Sequence, residues 1–272
     1  MITSPHNPKL KLIHALAGRS RERRENGAFL AEGVRLVEDA LAAGWPFRFA
    51  LAAETPGGRA AKLIARLEAN GVDVERVQND ILAGAGETET SQGVLAVLEL
   101  PSALASPEAR FPVFAAPNAS IPAFVVLFDQ IRDPGNLGTL IRAAAAAGAH
   151  EILLPPETAD AFAPKTVRAG MGAHFRLPIL SRAWGKIRTR LNGLTVYLAE
   201  TEQAAPCWQA DFRRPLALII GGEADGASAE ARALTSQNVV IPMPGGVESL
   251  NAAMAGTVLM FEVVRQREER HP

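Results

Sequence analysis

The sequence predicts an α/β protein with a small N-terminal α/β domain and a larger C-terminal domain built on a parallel sheet covered by helices. Two patterns and one interruption carry that expectation. Strand-like stretches alternate with helix-like ones on both sides of residue 100, as strand–helix–strand units require. Several strand candidates beyond residue 120 are continuous apolar runs, as expected of strands buried on both faces. Between the halves, Pro101, Pro107, Pro112, Pro117 and Pro122 punctuate an Ala- and Ser-rich stretch without sustained periodicity. Proline fixes φ and removes a donor, so 101–122 reads as a linker between domains 1–100 and 123–272.

The N-terminal elements follow in order. FLAE (29–32) is a strand leading into the helix VRLVEDALAAG, whose Val34, Val37 and Leu41 share a face and which Gly44 closes. FRFALAA (47–53) reads as a strand, AAKLIARLEANG (60–71) as a helix ended by Gly71, and VDVERV (72–77) and GVLAVLEL (93–100) as strands. In the second half AFVVLF (123–128) is a buried strand, followed by a turn and the helix LGTLIRAAAAAG (137–148). EILLP (151–155), TVYLA (195–199), LALII (216–220) and VVIPM (239–243) are further strands. The last helix, Leu250 to about Arg267, is expected to place Leu250, Ala253, Met254, Val258 and Phe261 on one face.

Composition narrows the function classes. Of 272 residues 48% are hydrophobic and 21% charged, which suits packed cores and excludes a disordered protein. No apolar run reaches the roughly 18 residues of a membrane-spanning helix, and MITSPHNPKLKLIHALAGRSRERRE is no signal peptide. A single cysteine, Cys207, and five scattered histidines exclude an internal disulfide and give no zinc-ligand spacing. A cytoplasmic protein with no membrane or metal partner is expected. The net charge is −1, yet residues 1–35 carry Lys9, Lys11, Arg19, Arg21, Arg23, Arg24 and Arg35 against Glu22, Glu25 and Glu32. Such a leading basic helix is either a grip on a phosphate backbone or a solvated face with paired charges.

Three loops follow buried strands of the second domain, where ligands of open α/β sheets bind. They are DQIRDPGNLGTLIR (129–142), GGEADG (221–226) and IPMPGGVESLN (241–251). Each also has an ordinary structural explanation: Asn136 and Ser249 as helix caps, and the glycine pair as a tight turn before an exposed Glu223. Arg142 is the most informative residue, because it interrupts a small, apolar helix. Its guanidinium must reach solvent or meet an anion, and its fork suits a phosphate.

Common fingerprints fail here. Gly84 and Gly86 lack the third glycine of a dinucleotide motif, since residue 89 is Glu. Gly221 and Gly226 imitate phosphate-loop spacing, but Ala227 stands where lysine is needed. Ser249, flanked by Glu248 and Leu250, has no nucleophile elbow.

At these loops the sequence resembles the SpoU, or TrmH-like, family of RNA ribose 2′-O-methyltransferases within the SPOUT class. The matching segments are DPGNLGTLIRAAAAAG (133–148), IIGGEADG (219–226) and IPMPGGVESLNAAMAGTVLMFEVVRQ (241–266), with PKTVRAGMGAHFRLPI (164–179) as further support. FLAEGVRLVEDAL (29–41) resembles the small substrate-binding domain of many members. The resemblance implies a trefoil knot, S-adenosylmethionine as cofactor, a homodimer, and RNA as substrate, with rRNA preferred to tRNA. It assigns Asn136, Arg142, Glu223, Ser249 and Asn251 to catalysis, and Gly221, Gly222, Ile241, Met243, Leu250 and Ala199 to the cofactor. Arg19, Arg21, Arg23 and Arg24 would grip RNA. Gly222 departs from the family, where many relatives carry Asn or another polar residue. A tRNA methyltransferase, an inactive RNA-binding relative and a nucleotide enzyme using the glycine loop are the competing readings.

Overall fold

Residues 1–86, 92–101, 122–222 and 226–268 are described by the computed structural model. In the first half the elements are α1 (Pro8–Ala17), α2 (Ser20–Asn26), β1 (Ala28–Glu32), α3 (Val34–Ala42) and β2 (Phe47–Ala53). They continue with α4 (Gly58–Ala69), β3 (Val74–Val77), α5 (Asn79–Ala85) and β4 (Val94–Glu99). Next come β5 (Phe124–Phe128), α6 (Pro134–Ala146), β6 (Glu151–Leu154), α7 (Pro164–Gly170), β7 (Ile179–Ser181) and α8 (Trp184–Leu191). The chain ends with β8 (Thr195–Ala199), β9 (Ala205–Pro206), β10 (Leu216–Ile220), α9 (Ala229–Arg232), β11 (Gln237–Val240) and α10 (Ala252–Glu268). Most of the expected linker, 102–121, lies outside the described residues. No helix among those described is long and apolar enough to cross a membrane.

The chain divides into two compact units, Met1–Val113 with Phe162–Phe175, and Phe114–Ala161 with Arg176–Pro272. The first contains a four-stranded sheet in the order β1-β4-β2-β3. Alternation puts Leu30, Leu51, Leu95 and Val97 on one face with Leu10, Ile13 and Leu16 of α1. On β1, Phe29 points to the other face, where its ring meets Phe162 edge-on at 4.9 Å and Phe175 at 6.5 Å. Trp45 joins them, 5.2 Å from Phe175. This aromatic cluster explains why α7 and its flanks pack with the N-terminal unit. Read from sequence, 164–179 belongs to the C-terminal domain; in space, Phe162–Phe175 leaves it.

In the second unit seven strands form one sheet in the order β7-β6-β5-β10-β8-β11-β9, and every neighbouring pair is parallel. The chain steps outward one way through β6 and β7, then builds the other side, inserting β10 between β5 and β8. Register aligns the strand ends: Phe128 lies opposite Ile220, Ile219 opposite Leu198, and Ala199 opposite Val239. The loops after β5, β10, β8 and β11 therefore leave from one edge of the sheet at its order reversal, where ligands of such sheets bind.

Two helices differ instructively from the sequence reading. α6 starts at Pro134 rather than near Leu137, with Asp133 as its N-cap, so Asn136 is a first-turn residue and not the cap. α10 starts at Ala252, capped by the Asn251 carboxamide, which accepts from the N–H groups of Ala253 at 3.0 Å and Met254 at 3.2 Å. The buried side of α10 comprises Ala252, Ala253, Gly256, Leu259, Met260, Val263 and Gln266. Of the face read from the sequence, Ala253 is buried while Met254, Val258 and Phe261 are exposed. Gly256 is the reason for the rotation: a Cβ there would lie 2.5 Å from Leu140 Cδ2 and 3.3 Å from Ile220 Cγ1, so this side of α10 approaches α6 and the sheet most closely.

Candidate active site

The loop after β5 begins at Asp129, a fully buried carboxylate. Its N–H donates to Ile220 O at 2.9 Å, and its Oδ2 accepts from Ser228 N at 2.6 Å. The side chain thus ties the end of β5 to the segment beyond the glycine loop. Asp133 Oδ1 accepts from Asn136 N at 2.8 Å, which satisfies one of the free donors at the start of α6.

The glycine loop is built from backbone approach. A Cβ on Gly221 would lie 2.7 Å from Ala227 N and 2.8 Å from Gly226 C. One on Gly222 would lie 2.5 Å from Gln130 O. The departure from the family pattern at Gly222 therefore has a steric cause in this chain. Gly222 N donates to Gly226 O at 3.1 Å and closes the turn. Arg232 braces it, donating to Ala227 O at 2.6 Å and to Glu200 Oε2, just past β8, at 2.7 Å. Asp129, Ser228, Glu200 and Arg232 were not singled out by sequence reasoning. Only Asp129 carries a local signal, a carboxylate directly following a buried apolar strand.

The loop after β11 leaves Ile241, Met243 and Leu250 half-buried, while Pro244 to Ser249 are exposed. Asn251 Nδ2 donates to Asn136 Oδ1 at 3.3 Å, so the N-termini of α6 and α10 meet side by side. Both present the positive end of a helix dipole. Ser249, two residues before Asn251, is exposed, and half-buried Ala199 ends β8. Arg142 stands six residues beyond Asn136, about 9 Å along the axis of α6 and turned about 120° away. It is exposed, on another side of α6 from the contact between Asn136 and Asn251. Glu223 lies outside the described residues.

The basic N-terminal residues divide. Arg19 and Arg24 are exposed, and Arg21 pairs with Glu25 at 2.6 Å along α2. Arg23 corrects the expectation of an RNA contact, being only 3% exposed. Its Nη1 donates to Leu16 O at 2.6 Å and Gly18 O at 3.0 Å, where it binds the end of α1 to α2. Arg23→Met is expected to lower stability by about 2 kcal/mol, because charged hydrogen bonds to buried carbonyls are lost. Thermal melting will show that loss while the salt dependence of RNA binding stays unchanged. Neutralising Arg19, Arg21 and Arg24 together is expected to flatten that salt slope, and an unchanged slope would assign α2 to ordinary surface.

Comparison with known proteins identifies the family. The SpoU rRNA Methylase family matches residues 123–261, and the MRM3-like substrate binding domain matches residues 7–96. A 23S rRNA (uridine(2479)-2′-O)-methyltransferase of Streptomyces viridochromogenes is 36% identical, aligned over 98% of this chain and 92% of its own length. The Bacillus subtilis 23S rRNA (guanosine(2553)-2′-O)-methyltransferase is 32% identical, over 96% of this chain and 98% of its own. The crystal structure of the SpoU methyltransferase AviRb from S. viridochromogenes in complex with AdoMet superposes with a TM-score of 0.81 at 30% identity, covering 97% of this chain and all of that one. A family match over residues 123–261, together with a relative 36% identical across nearly the whole chain, shows that the chain belongs to the SpoU rRNA methylase family.

Proposed function

We propose that this protein transfers a methyl group from S-adenosylmethionine to a ribose 2′-hydroxyl of ribosomal RNA, acting in the cytoplasm as a homodimer. The meeting of three loops at the carboxyl edge of β5, β10 and β11, joined by the contact of Asn251 with Asn136, is the observation that carries this reading. The residues there suit the cofactor. Half-buried Ala199, Ile241, Met243 and Leu250 offer apolar walls, and Gly221 and Gly222 allow the close backbone approach that shapes the loop beside them. When bound, the cofactor supplies an electrophilic methyl group on a sulfonium, so the reaction is an in-line displacement.

The chain's own task is then alignment and charge. Asn136 and Asn251 hold the two helix N-termini together and orient the acceptor ribose, with Ser249 beside them. Arg142, as a permanently charged fork, clamps the phosphate next to the acceptor and favours the alkoxide that develops on the 2′-oxygen. Glu223 fixes the glycine loop. The trefoil knot implied by the family resemblance belongs to this reading too.

Dimerisation is supported by the outer face of α10. Met254, Val258 and Phe261 are 61%, 45% and 46% exposed, and nearby Val247 is 59% exposed. Their spacing of four and three residues makes one apolar stripe, of the kind that marks an interface. Exposed Arg142 then completes the site of the partner subunit. Phe261→Asp combined with Met254→Asp is expected to give a monomer by light scattering, with methyl transfer lost. A dimer unaffected by both changes would remove this stripe from the interface.

The activity is tested by incubating the protein with methyl-labelled S-adenosylmethionine and unmodified ribosomal RNA. Label should enter RNA as a 2′-O-methylated nucleotide resistant to alkaline hydrolysis. Incorporation into tRNA alone would change the substrate, and binding of RNA without any incorporation would favour an inactive relative.

A further inference from the structure

The N-terminal unit contains a cavity of about 230 Å³ beside β1 and the start of α3, lined by Glu32, Arg35, Leu36, Asp39, Arg168 and Met171 among others. The cofactor loops contribute nothing to it. Its composition is unusual for a surface depression, because two carboxylates and two guanidinium groups share it. A site for a simple anion would not keep Glu32 and Asp39, and one for a cation would not keep Arg35 and Arg168. The cavity suits a ligand that is itself uncharged there, with hydrogen-bond donors on one edge and acceptors on another.

Backbone geometry makes room for both carboxylates. A Cβ on Gly86 would collide with the Glu32 carboxylate, and one on Gly172 would lie 2.5 Å from Asp39 Oδ2. Gly172 has φ +82°, a conformation that side chains rarely adopt, so its place against Asp39 is doubly restricted. Glu32 is held within 3.5 Å of Arg168, with its side chain only 9% exposed. Leu36 gives the cavity an apolar wall. Met171 lines it while 42% exposed, in a left-handed backbone conformation (φ 46°). Gln92 closes the remaining side, accepting from Val34 N at 3.0 Å across Gly33. A volume below the roughly 300–1,000 Å³ of ordinary small-molecule clefts fits one flat heterocycle.

We infer that this cavity receives an unstacked guanine of the RNA substrate, at a nucleotide other than the one methylated. Guanine carries adjacent donors on its Watson–Crick edge and adjacent acceptors, O6 and N7, on its Hoogsteen edge. A carboxylate fork pairs with the first and a guanidinium fork with the second, while Leu36 and Met171 cover its faces. Uracil and cytosine lack the paired donors, and adenine lacks O6. Single-stranded RNA is read in this way, base by base, from bases splayed out of the helix. The inference rests on RNA being the substrate, and it places part of substrate selection in the N-terminal unit, away from the methyl-transfer loops.

The test uses the full-length protein and short fluorescent RNAs of uridine with one central guanosine, inosine, adenosine or uridine. The guanosine RNA should bind about tenfold tighter than the others, including inosine, which lacks only the 2-amino group. Glu32→Gln and Asp39→Asn should each reduce that preference severalfold while the affinity for all-uridine RNA holds and circular dichroism shows both variants folded, with Glu32→Gln melting lower because its pairing with Arg168 is lost. Equal affinity of the wild-type protein for guanosine and inosine RNAs overturns the inference without any mutation, as does a preference that survives both substitutions. Methyl transfer to ribosomal RNA is measured in parallel. Transfer without guanine preference removes only the cavity's role, and preference without transfer removes only the proposed activity.

Discussion

Arg142→Ala is expected to lower methyl transfer to ribosomal RNA by about two to three orders of magnitude, the scale seen when a single charge-stabilising donor is removed from a reaction centre. The folded protein should scarcely notice the change. Arg142 is exposed on α6, alanine is the best helix former, and exposed substitutions of this kind stay within about 0.5 kcal/mol. A large fall in turnover with an unchanged melting temperature is thus the signature of a group that acts on RNA rather than on the fold. Arg142→Lys refines the result. Lysine keeps the charge but loses the planar fork, so it should recover only part of the activity. Near-wild-type turnover by the lysine variant would refute a bidentate clamp and leave a simple electrostatic role.

Gly221→Ala is expected to weaken S-adenosylmethionine binding by more than tenfold in calorimetric titration and to destabilise the protein by about 1–3 kcal/mol, the usual cost of overpacking. The added Cβ would lie 2.7 Å from Ala227 N and 2.8 Å from Gly226 C. Both are backbone atoms with no rotamer to escape into. β10 cannot retreat, since it is paired with β5 on one side and β8 on the other, so the strain falls on the glycine loop. Gly185→Ala is the control: it lies in α8 with nothing within 4 Å of an added Cβ. That change should leave cofactor binding unaltered and is expected to be neutral or slightly stabilising. If Gly221→Ala binds the cofactor as the wild type does, the loop is not part of the cofactor site.

Several elements could be read from local residues alone. β2, β8 and β10 run over the expected residues, β2 being bounded by Pro46 and Glu54 and the apolar β10 by Pro215 and Gly221. The turn glycines at 44, 71 and 148 all have positive φ. The start of α6 was misplaced because Asp133 and Asn136 are both good capping residues, and only the Asp133 carboxylate reaches a free N–H. α10 is apolar around much of its circumference, so periodicity could not select its buried side. Gly256, approaching Leu140 and Ile220, did so. Likewise a buried Arg23 and an exposed Arg24 look identical in sequence.

By itself, then, the amino-acid order determined many of the strand and helix segments, the α/β class and the three motifs that carry the family resemblance, since each depends on neighbours a few residues apart. Only the tertiary structure decided that β10 lies between β5 and β8, that Phe162–Phe175 joins the N-terminal unit, and that Asn136 meets Asn251, 115 positions further along the chain. Those outcomes depend on strand register, aromatic packing and close backbone approach between distant segments, and no local pattern of side chains encodes them.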